Sequence, residues 1–349
     1  MKVCIVSSAI REVNPYLYGG LEKIVHDLAI SLVRYKEIDK VSVICTKLSR
    51  LLEHHPKLEL ITTVEPSETP IRNWIELEEE AYRIYEPYLA EYDWILDHSW
   101  FGFPYIYALK NEKVKVIHTF HGALPWSTNP PLRVEELHYV CASRVQAMIY
   151  ENVLHVPCKV IHHGIDTRDY EFKPEKERFY LYLNRIMREK GAYEFTELAR
   201  MNPKEEFIMA GEDLFVSDLN FVELIKKRCR SNLTYLGSVP HAKKVELLRN
   251  AKALVGLPIF PYIEIFGLYA TEAMACGTPV LALRNGGLID QVVHGETGFL
   301  FDTISELDTA IKNDIVSMIE PKNCYKRVKK FFTKEVMSLN YKRYINALS

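Results

Sequence analysis

Two glutamates eight positions apart, Glu264 and Glu272, bracket the string EIFGLYATE, which runs on into MACGTPV and then NGG. Gly267 lies between them, and the run after it, LYATEAMAC, is rich in helix formers and closes at Gly277 with Pro279 just beyond. The spacing predicts a helix that starts near Leu268. Its first N–H groups, unpaired within the helix and at the positive end of its dipole, form an anion site suited to a diphosphate. The two carboxylates are acceptors instead, suited to the hydroxyls of a sugar or a ribose. Taken alone, either glutamate reads as a solvated loop residue or as an acid favoured by the helix dipole. The whole string through Gly287 points to a sugar nucleotide.

A second set of residues fits the same ligand. The run FYLYLN ends at Arg185 and is followed by IMREKG, which carries Lys190 and Gly191 into the next helical stretch. Both cations could be surface charges flanking a turn. In a strand-end loop they could also stabilise the charge that develops on a diphosphate as a glycosidic bond breaks, each charge-assisted contact contributing about 1.5–3 kcal/mol. The chain has no DxD string to hold magnesium. Chemistry without a metal or other cofactor is therefore expected.

These loops need a scaffold that turns strand ends toward a ligand. Apolar runs alternate with helical periods from the start: VCIVSS, LEKIVHDLAISLVRY, VSVICT, then LELITT, DWILDHS and VKVIHTFH, with an acidic amphipathic helix at NWIELEEEAYRIYEPYLAEY. RVEELHYVCAS and KVIHHGID finish this series, and TRDYEFKPEKER reads as a linker. A second series follows, with strands at FYLYLN, EFIMAG, LTYLGS, ALVGLP and PVLALR. The pattern predicts an α/β chain of two doubly wound parallel sheets in tandem, with ligands at the carboxyl ends of the strands in a deep cleft between domains. The expected division is an N-terminal domain over 1–167, a C-terminal domain over 168–330, and a terminal helix over 331–349 that packs back on the first.

At 349 residues the chain suits two domains, and 48% apolar with 26% charged residues is ordinary for a globular enzyme. A net charge of -2 gives no pull toward nucleic acid. Seven cysteines without a CxxC suggest neither disulfides nor zinc, which fits a cytoplasmic setting. MKVCIVSSAI reads as a buried strand rather than a signal peptide, and no apolar run is long enough to span a bilayer. Basic residues from Lys326 to Arg343 allow a peripheral contact with the inner face of a membrane, although such runs are more often solvated faces.

The ordered set GG-x-E, R-x4-K-G, E-x7-E, GTPV, GG and GETGFLF resembles the retaining glycosyltransferases of family four over nearly the whole chain. That resemblance implies the fold of two Rossmann-like domains called GT-B and transfer of a sugar from a nucleotide sugar to an acceptor hydroxyl. It makes Gly19 and Gly20 the glycine loop facing the donor diphosphate, where a tight turn is the plain alternative. It makes Arg185 and Lys190 the diphosphate clamp, Glu264 the contact to the donor sugar with the N–H groups of Phe266, Gly267 and Leu268 nearby, and Glu272 the ribose ligand. His121, in HTFHG, matches a histidine near the sugar C6 hydroxyl and the reaction centre. His98, in DHSW, is a cleft candidate whose alternative is a satisfied core imidazole. His118 and His121 share an H-x-x-H spacing, but a strand end sends them to opposite faces, so no metal site is expected.

Three departures stand out: Ile265 replaces a glycine of the usual EGFG, His163 stands in HGID where NG-x-D is usual, and Asp290 replaces a glutamate. The base is expected near Gly211–Glu212 and 235–241. UDP is the expected nucleotide, and the acceptor is a carbohydrate, lipid-linked or small-molecule hydroxyl of polysaccharide or glycoconjugate synthesis. Retention without a carboxylate nucleophile about 5 Å from an acid partner favours a same-face reaction assisted by the leaving phosphate. The rivals are a nucleotide-sugar epimerase, a glycan phosphorylase, and a non-catalytic sugar-nucleotide-binding protein. Tyrosines near Tyr82–Tyr107 hint at carbohydrate stacking.

Overall fold

The computed structural model describes residues 1–67, 74–111, 113–122, 137–214, 216 and 218–349. The first residues of the RVEELHYVCAS stretch lie outside them. Two compact units result, Met1–Gly164 with Lys334–Ser349, and Ile165–Thr333. These joins stand at 164/165 and 333/334, against the 167/168 and 330/331 read from sequence, because the Ile165 N–H bonds the Phe332 carbonyl at 3.0 Å and ties itself to the second unit.

In the first unit the order is β1 (Lys2–Val6), α1 (Gly20–Leu32), β2 (Lys40–Cys45), β3 (Leu58–Thr62), α2 (Trp74–Tyr85), β4 (Trp94–Asp97), α3 (Phe103–Ala108), β5 (Lys115–Phe120), β6 (Leu137–Cys141), α4 (Arg144–Leu154) and β7 (Cys158–Val160). The strands form one parallel sheet in the order β3-β2-β1-β4-β5-β6-β7. Val3 to Val6 are buried, as a strand covered on both faces requires.

The second unit runs β8 (Phe179–Leu183), α5 (Ala192–Met201), β9 (Glu206–Ala210), α6 (Leu219–Arg228), β10 (Leu233–Gly237), α7 (His241–Asn250), β11 (Ala253–Gly256), α8 (Leu268–Ala275), β12 (Val280–Leu283), α9 (Leu288–Gln291), β13 (Gly298–Phe301), α10 (Ile304–Lys312) and α11 (Pro321–Phe331). Its sheet is also parallel, β10-β9-β8-β11-β12-β13, over a core that includes Tyr182, Phe195, Phe207 and Phe221.

The final helix, α12 (Lys334–Leu348), belongs to the first unit, where Tyr341 shares a 2.7 Å hydrogen bond with Thr119 and Lys342 reaches Glu37 at 2.7 Å. The basic run is thereby divided. Arg327 of α11 donates to the Asp290 carbonyl at 2.7 Å, so part of the charge serves packing. No helix among the described residues is long and apolar enough to cross a membrane.

In each sheet the connection direction reverses at one point, between β1 and β4 and between β8 and β11. Loops at the carboxyl ends of those strands are where ligands of such sheets bind. They carry His98 in one unit and Arg185, Lys190 and Glu264 in the other.

Candidate active site

In the second unit the β8–α5 loop and the long loop after β11 meet through side chains. Lys190 is buried and its Nζ donates to Glu264 Oε2 at 2.8 Å and to the Tyr262 hydroxyl at 2.7 Å, with the ammonium 4.3 Å from the Tyr262 ring centroid. Burial works against its charge, yet the Glu264 carboxylate and Tyr262 hold the ammonium above its ordinary value. An ammonium has three N–H groups, so one remains for a ligand. Arg185 is exposed at the end of β8 and makes no ion pair among the described residues. Its charge acts on Lys190 and Tyr262.

The Glu264 loop is fixed from outside. Asn285 Oδ1 accepts the Glu264 N–H at 2.9 Å, and Asn285 Nδ2 donates to the Tyr262 carbonyl at 2.9 Å. Gly287 N–H bonds the Glu264 carbonyl at 2.6 Å, a close approach that Gly286 permits, with φ +52° and space for no Cβ, since one would lie 1.9 Å from the Glu264 oxygen. Gly286→Ala is therefore expected to cost at least about 1–2 kcal/mol from the left-handed backbone alone and to displace the loop. A chemical unfolding curve combined with loss of nucleotide binding checks this.

Helix α8 begins at Leu268 and Gly277, φ +80°, follows its last turn. The anion site expected at its start is narrower than the sequence suggests. Gly267 N–H is taken by Gln291 Oε1 at 3.1 Å, and Gln291 Nε2 returns to the Gly267 carbonyl at 2.8 Å. The N–H groups of Leu268 and Tyr269 have no backbone partner among the described residues, while Phe266 is buried against the Phe332 ring. Glu272 is buried one turn in, where Tyr170 donates to its Oε1 at 2.6 Å and Lys244 at 2.8 Å. A ribose there must share the carboxylate with Lys244. Gly211 follows β9, its N–H on the Gly237 carbonyl at 2.8 Å; a Cβ would lie 1.7 Å from the Asn184 carbonyl, so the glycine lets this loop close on the one that carries Arg185.

In the first unit, Gly19 caps α1 and Gly20 opens it, both with accessible backbone. Behind them Glu22 is buried and bonded to Ser8 Oγ at 2.9 Å, and burial raises its carboxyl above the ordinary value. His121 meets His98, Nε2 to Nδ1, at 2.9 Å, and stacks on His163 with centroids 5.4 Å apart. Burial, then the neighbouring imidazoles, holds all three well below the ordinary histidine range, which favours the neutral rings.

His98, the cleft candidate, is 0% exposed, with His121 and Tyr341 against its ring. Among the described residues its Nε2 is buried without a hydrogen bond, and an unpaired N–H there would cost more than a bare lone pair. We therefore assign the shared proton to His98 Nδ1, which leaves His121 protonated on Nδ1. His118 turns away to Asp97 Oδ2 at 2.7 Å, and among the described residues no group of three or more His, Cys, Asp or Glu side chains could hold a metal.

Sequence reasoning missed Tyr262, Asn285, Gln291, Lys244 and Tyr170, and it missed Glu78. This buried carboxylate on α2 accepts the N–H groups of Trp100 and Phe101 at 3.0 Å each. Burial outweighs those bonds and lifts its carboxyl to about 8. The unfolded chain loses that proton near pH 4.3 or so while the native state keeps it. Stability should thus fall as pH rises through that window, by on the order of a few kcal/mol, and Glu78→Gln should flatten the dependence in urea unfolding measured across it. Of the tyrosines behind the stacking hint, Tyr82, Tyr85, Tyr92, Tyr105 and Tyr107 are buried packing residues, whereas Tyr88 is 44% exposed.

Two family models match in tandem: Glycosyltransferase Family 4 over residues 18–169 and Glycosyl transferases group 1 over 166–334. Among curated proteins the chain is similar to the glycogen synthase of Mycobacterium tuberculosis, 33% identical over 147 residues, 40% of this chain and 34% of that enzyme. It thus spans about a third of that relative's length. Among solved structures it resembles the sucrose-phosphate synthase of Thermosynechococcus elongatus at 20% identity and TM-score 0.79, covering 99% of this chain and 98% of that one. It also resembles Anabaena Alr3699/HepE in complex with UDP-glucose at 18% identity and TM-score 0.75, covering 99% of this chain and 100% of that one. At these identities the structures share the fold.

Proposed function

Because the chain belongs to the glycosyltransferases of family four, we propose that it moves a sugar from a nucleotide diphosphate sugar to an acceptor hydroxyl with retention of anomeric configuration. The observation that carries this reading is the convergence of Arg185, Lys190 and Glu264 on the loops that leave β8 and β11. The diphosphate takes Arg185, the free N–H of Lys190 and the Leu268 end of α8. The sugar hydroxyls take Glu264, and the ribose takes Glu272.

As the bond from the anomeric carbon to the β-phosphate oxygen breaks, its electron pair moves to the phosphate. Arg185 and Lys190 stabilise that charge in place of a metal. The acceptor oxygen bonds to the same face of the sugar, and its proton passes to the departing phosphate. Glu264 is a poor nucleophile for a double displacement because Lys190 holds its carboxylate at 2.8 Å. His121, with its proton on Nδ1, supplies a neutral hydrogen-bond donor to a sugar oxygen. UDP is the expected nucleotide, since the fold neighbour from Anabaena is described in complex with UDP-glucose. Acceptor recognition is assigned to the first unit, and membrane contact to the exposed lysines of α11.

The test is a panel of UDP-, GDP- and ADP-sugars scored for acceptor-free hydrolysis with and without a chelator. Release of UDP from a UDP-sugar, unchanged by chelation and giving the retained anomer by NMR, is expected. Tight UDP binding without release from any donor would assign a binding protein instead.

A further inference from the structure

The loop after β11 brings Glu264 into the site of the second unit and, two residues earlier, a phenol as well. Tyr262 is half-buried. Its backbone is fixed on both sides: the N–H bonds the Ile259 carbonyl at 3.0 Å, and the carbonyl accepts from Asn285 Nδ2 at 2.9 Å. Its ring lies 4.3 Å from the Lys190 ammonium, and its hydroxyl oxygen accepts from Lys190 Nζ at 2.7 Å. A side chain held this way meets a ligand without an ordering cost at the moment of binding.

A phenol carries one proton as well as its lone pairs. Holding Lys190 uses a lone pair and leaves the O–H, which has no acceptor among the described residues. Burial first, then the Glu264 carboxylate, raises the hydroxyl above its ordinary value against the pull of Lys190 and Arg185, so the oxygen keeps that proton at neutral pH. Tyr262 and Lys190 therefore stand side by side as two donors, one of them charged, and the Glu264 carboxylate is the acceptor next to them, 2.8 Å from the ammonium. A ligand that complements this order has an anionic, acceptor-only group joined to a ring that bears hydroxyls. In a nucleotide diphosphate sugar that group is the β-phosphate, which is bonded to the sugar that Glu264 contacts.

We propose that Tyr262 is a substrate-contacting residue whose hydroxyl donates to a β-phosphate oxygen of the donor, beside Lys190. This rests on the glycosyl-transfer reading and adds to its site a neutral donor that a cation polarises. The bond strengthens as the β-phosphate takes up the electron pair of the breaking glycosidic bond, so the hydroxyl acts on the rate as well as on binding.

The test uses the full chain and Tyr262→Phe, which removes the hydroxyl and keeps the ring beside Lys190. Phosphorus NMR titration, which reads affinities into the millimolar range, compares UMP with UDP, GMP with GDP and AMP with ADP, and the melting temperature is the control for folding. The diphosphate that binds, UDP by expectation, should bind the variant about tenfold more weakly, the loss of one hydrogen bond to a charged acceptor. Its monophosphate, which lacks the β-phosphate, should bind both proteins equally. Acceptor-free hydrolysis of the best nucleotide sugar should slow by about tenfold or more. Tyr262→Phe should weaken the diphosphate again in the Lys190→Met, Glu264→Gln background, where no ammonium is left to be positioned. No loss for the diphosphate, an equal loss for the monophosphate, or no effect in that background, which would leave the hydroxyl only the task of holding Lys190, overturns the assignment. So does a wild type that binds no nucleoside diphosphate. A selective loss of diphosphate binding in the variant, with no hydrolysis of any nucleotide sugar by the wild type, would uphold the phosphate contact and remove the transferase reading.

Discussion

Lys190→Ala is expected to slow acceptor-free hydrolysis of the best donor by about 10²–10³ and to lower the melting temperature in the same variant. The rate loss follows from removing a preorganised cation at the position where leaving-group charge develops, which typically costs about 3–4 kcal/mol. The stability loss has a separate origin. Lys190 and Glu264 are 6% and 4% exposed, so deleting the ammonium leaves a buried carboxylate with no counter-charge, and breaking such a pair typically costs about 3–5 kcal/mol. A second variant separates the two. Lys190→Met combined with Glu264→Gln removes both charges at similar volume, and it should regain most of the melting temperature while remaining inactive. If the double variant recovered hydrolysis, Lys190 would be only a structural partner of Glu264, and the diphosphate would have to be gripped elsewhere. Thermal unfolding and nucleotide release on the same preparations check both halves.

What the sequence made legible here and what it hid divide along a physical line. The start of α8 at Leu268 and its end before Gly277 follow from helix formers, a glycine and a proline within one short window, and the helix lies there. Central strands such as β8, β11 and β12 are continuous apolar runs, readable for the same reason. The partners of the site are not local. Gln291 takes the Gly267 N–H from 24 residues away, Asn285 fixes Glu264 from 21 away, and Lys244 reaches Glu272 across 28.

A short amphipathic string cannot announce such contacts, because they depend on how α7, α9 and the turn before α9 pack on the sheet. Gly286 and Gly287 came closest to a signal, since paired glycines mark a backbone that must approach something. The ligand of that approach proves to be the Glu264–Ile265 backbone itself. Most tyrosines of the Tyr82–Tyr107 stretch misled for a related reason. Composition counts aromatic rings, and only packing decides whether a ring such as Tyr85 fills the core or one such as Tyr88 stays exposed.

Arg185→Ala should show catalysis without the stability cost, and for that reason it is the cleaner probe of the diphosphate grip. The guanidinium is exposed and makes no ion pair among the described residues, so truncation leaves no orphaned charge and should shift folding stability by less than about 0.5 kcal/mol. Its loss from a charge-assisted contact to phosphate should cost about 1.5–3 kcal/mol, roughly ten- to hundredfold in hydrolysis rate. Arg185→Lys keeps the charge and loses the planar fork, so it should fall between the two. The neighbouring cation adds a second readout. The charge of Arg185 works against that of Lys190, and a bound diphosphate would relieve the repulsion, so part of the binding energy depends on both. Rate losses in Arg185→Ala and Lys190→Ala that simply multiplied in the double variant would mean that each acts alone. A double variant no worse than Lys190→Ala would mean that they act as one clamp, which is the result their shared position at the end of β8 leads us to expect.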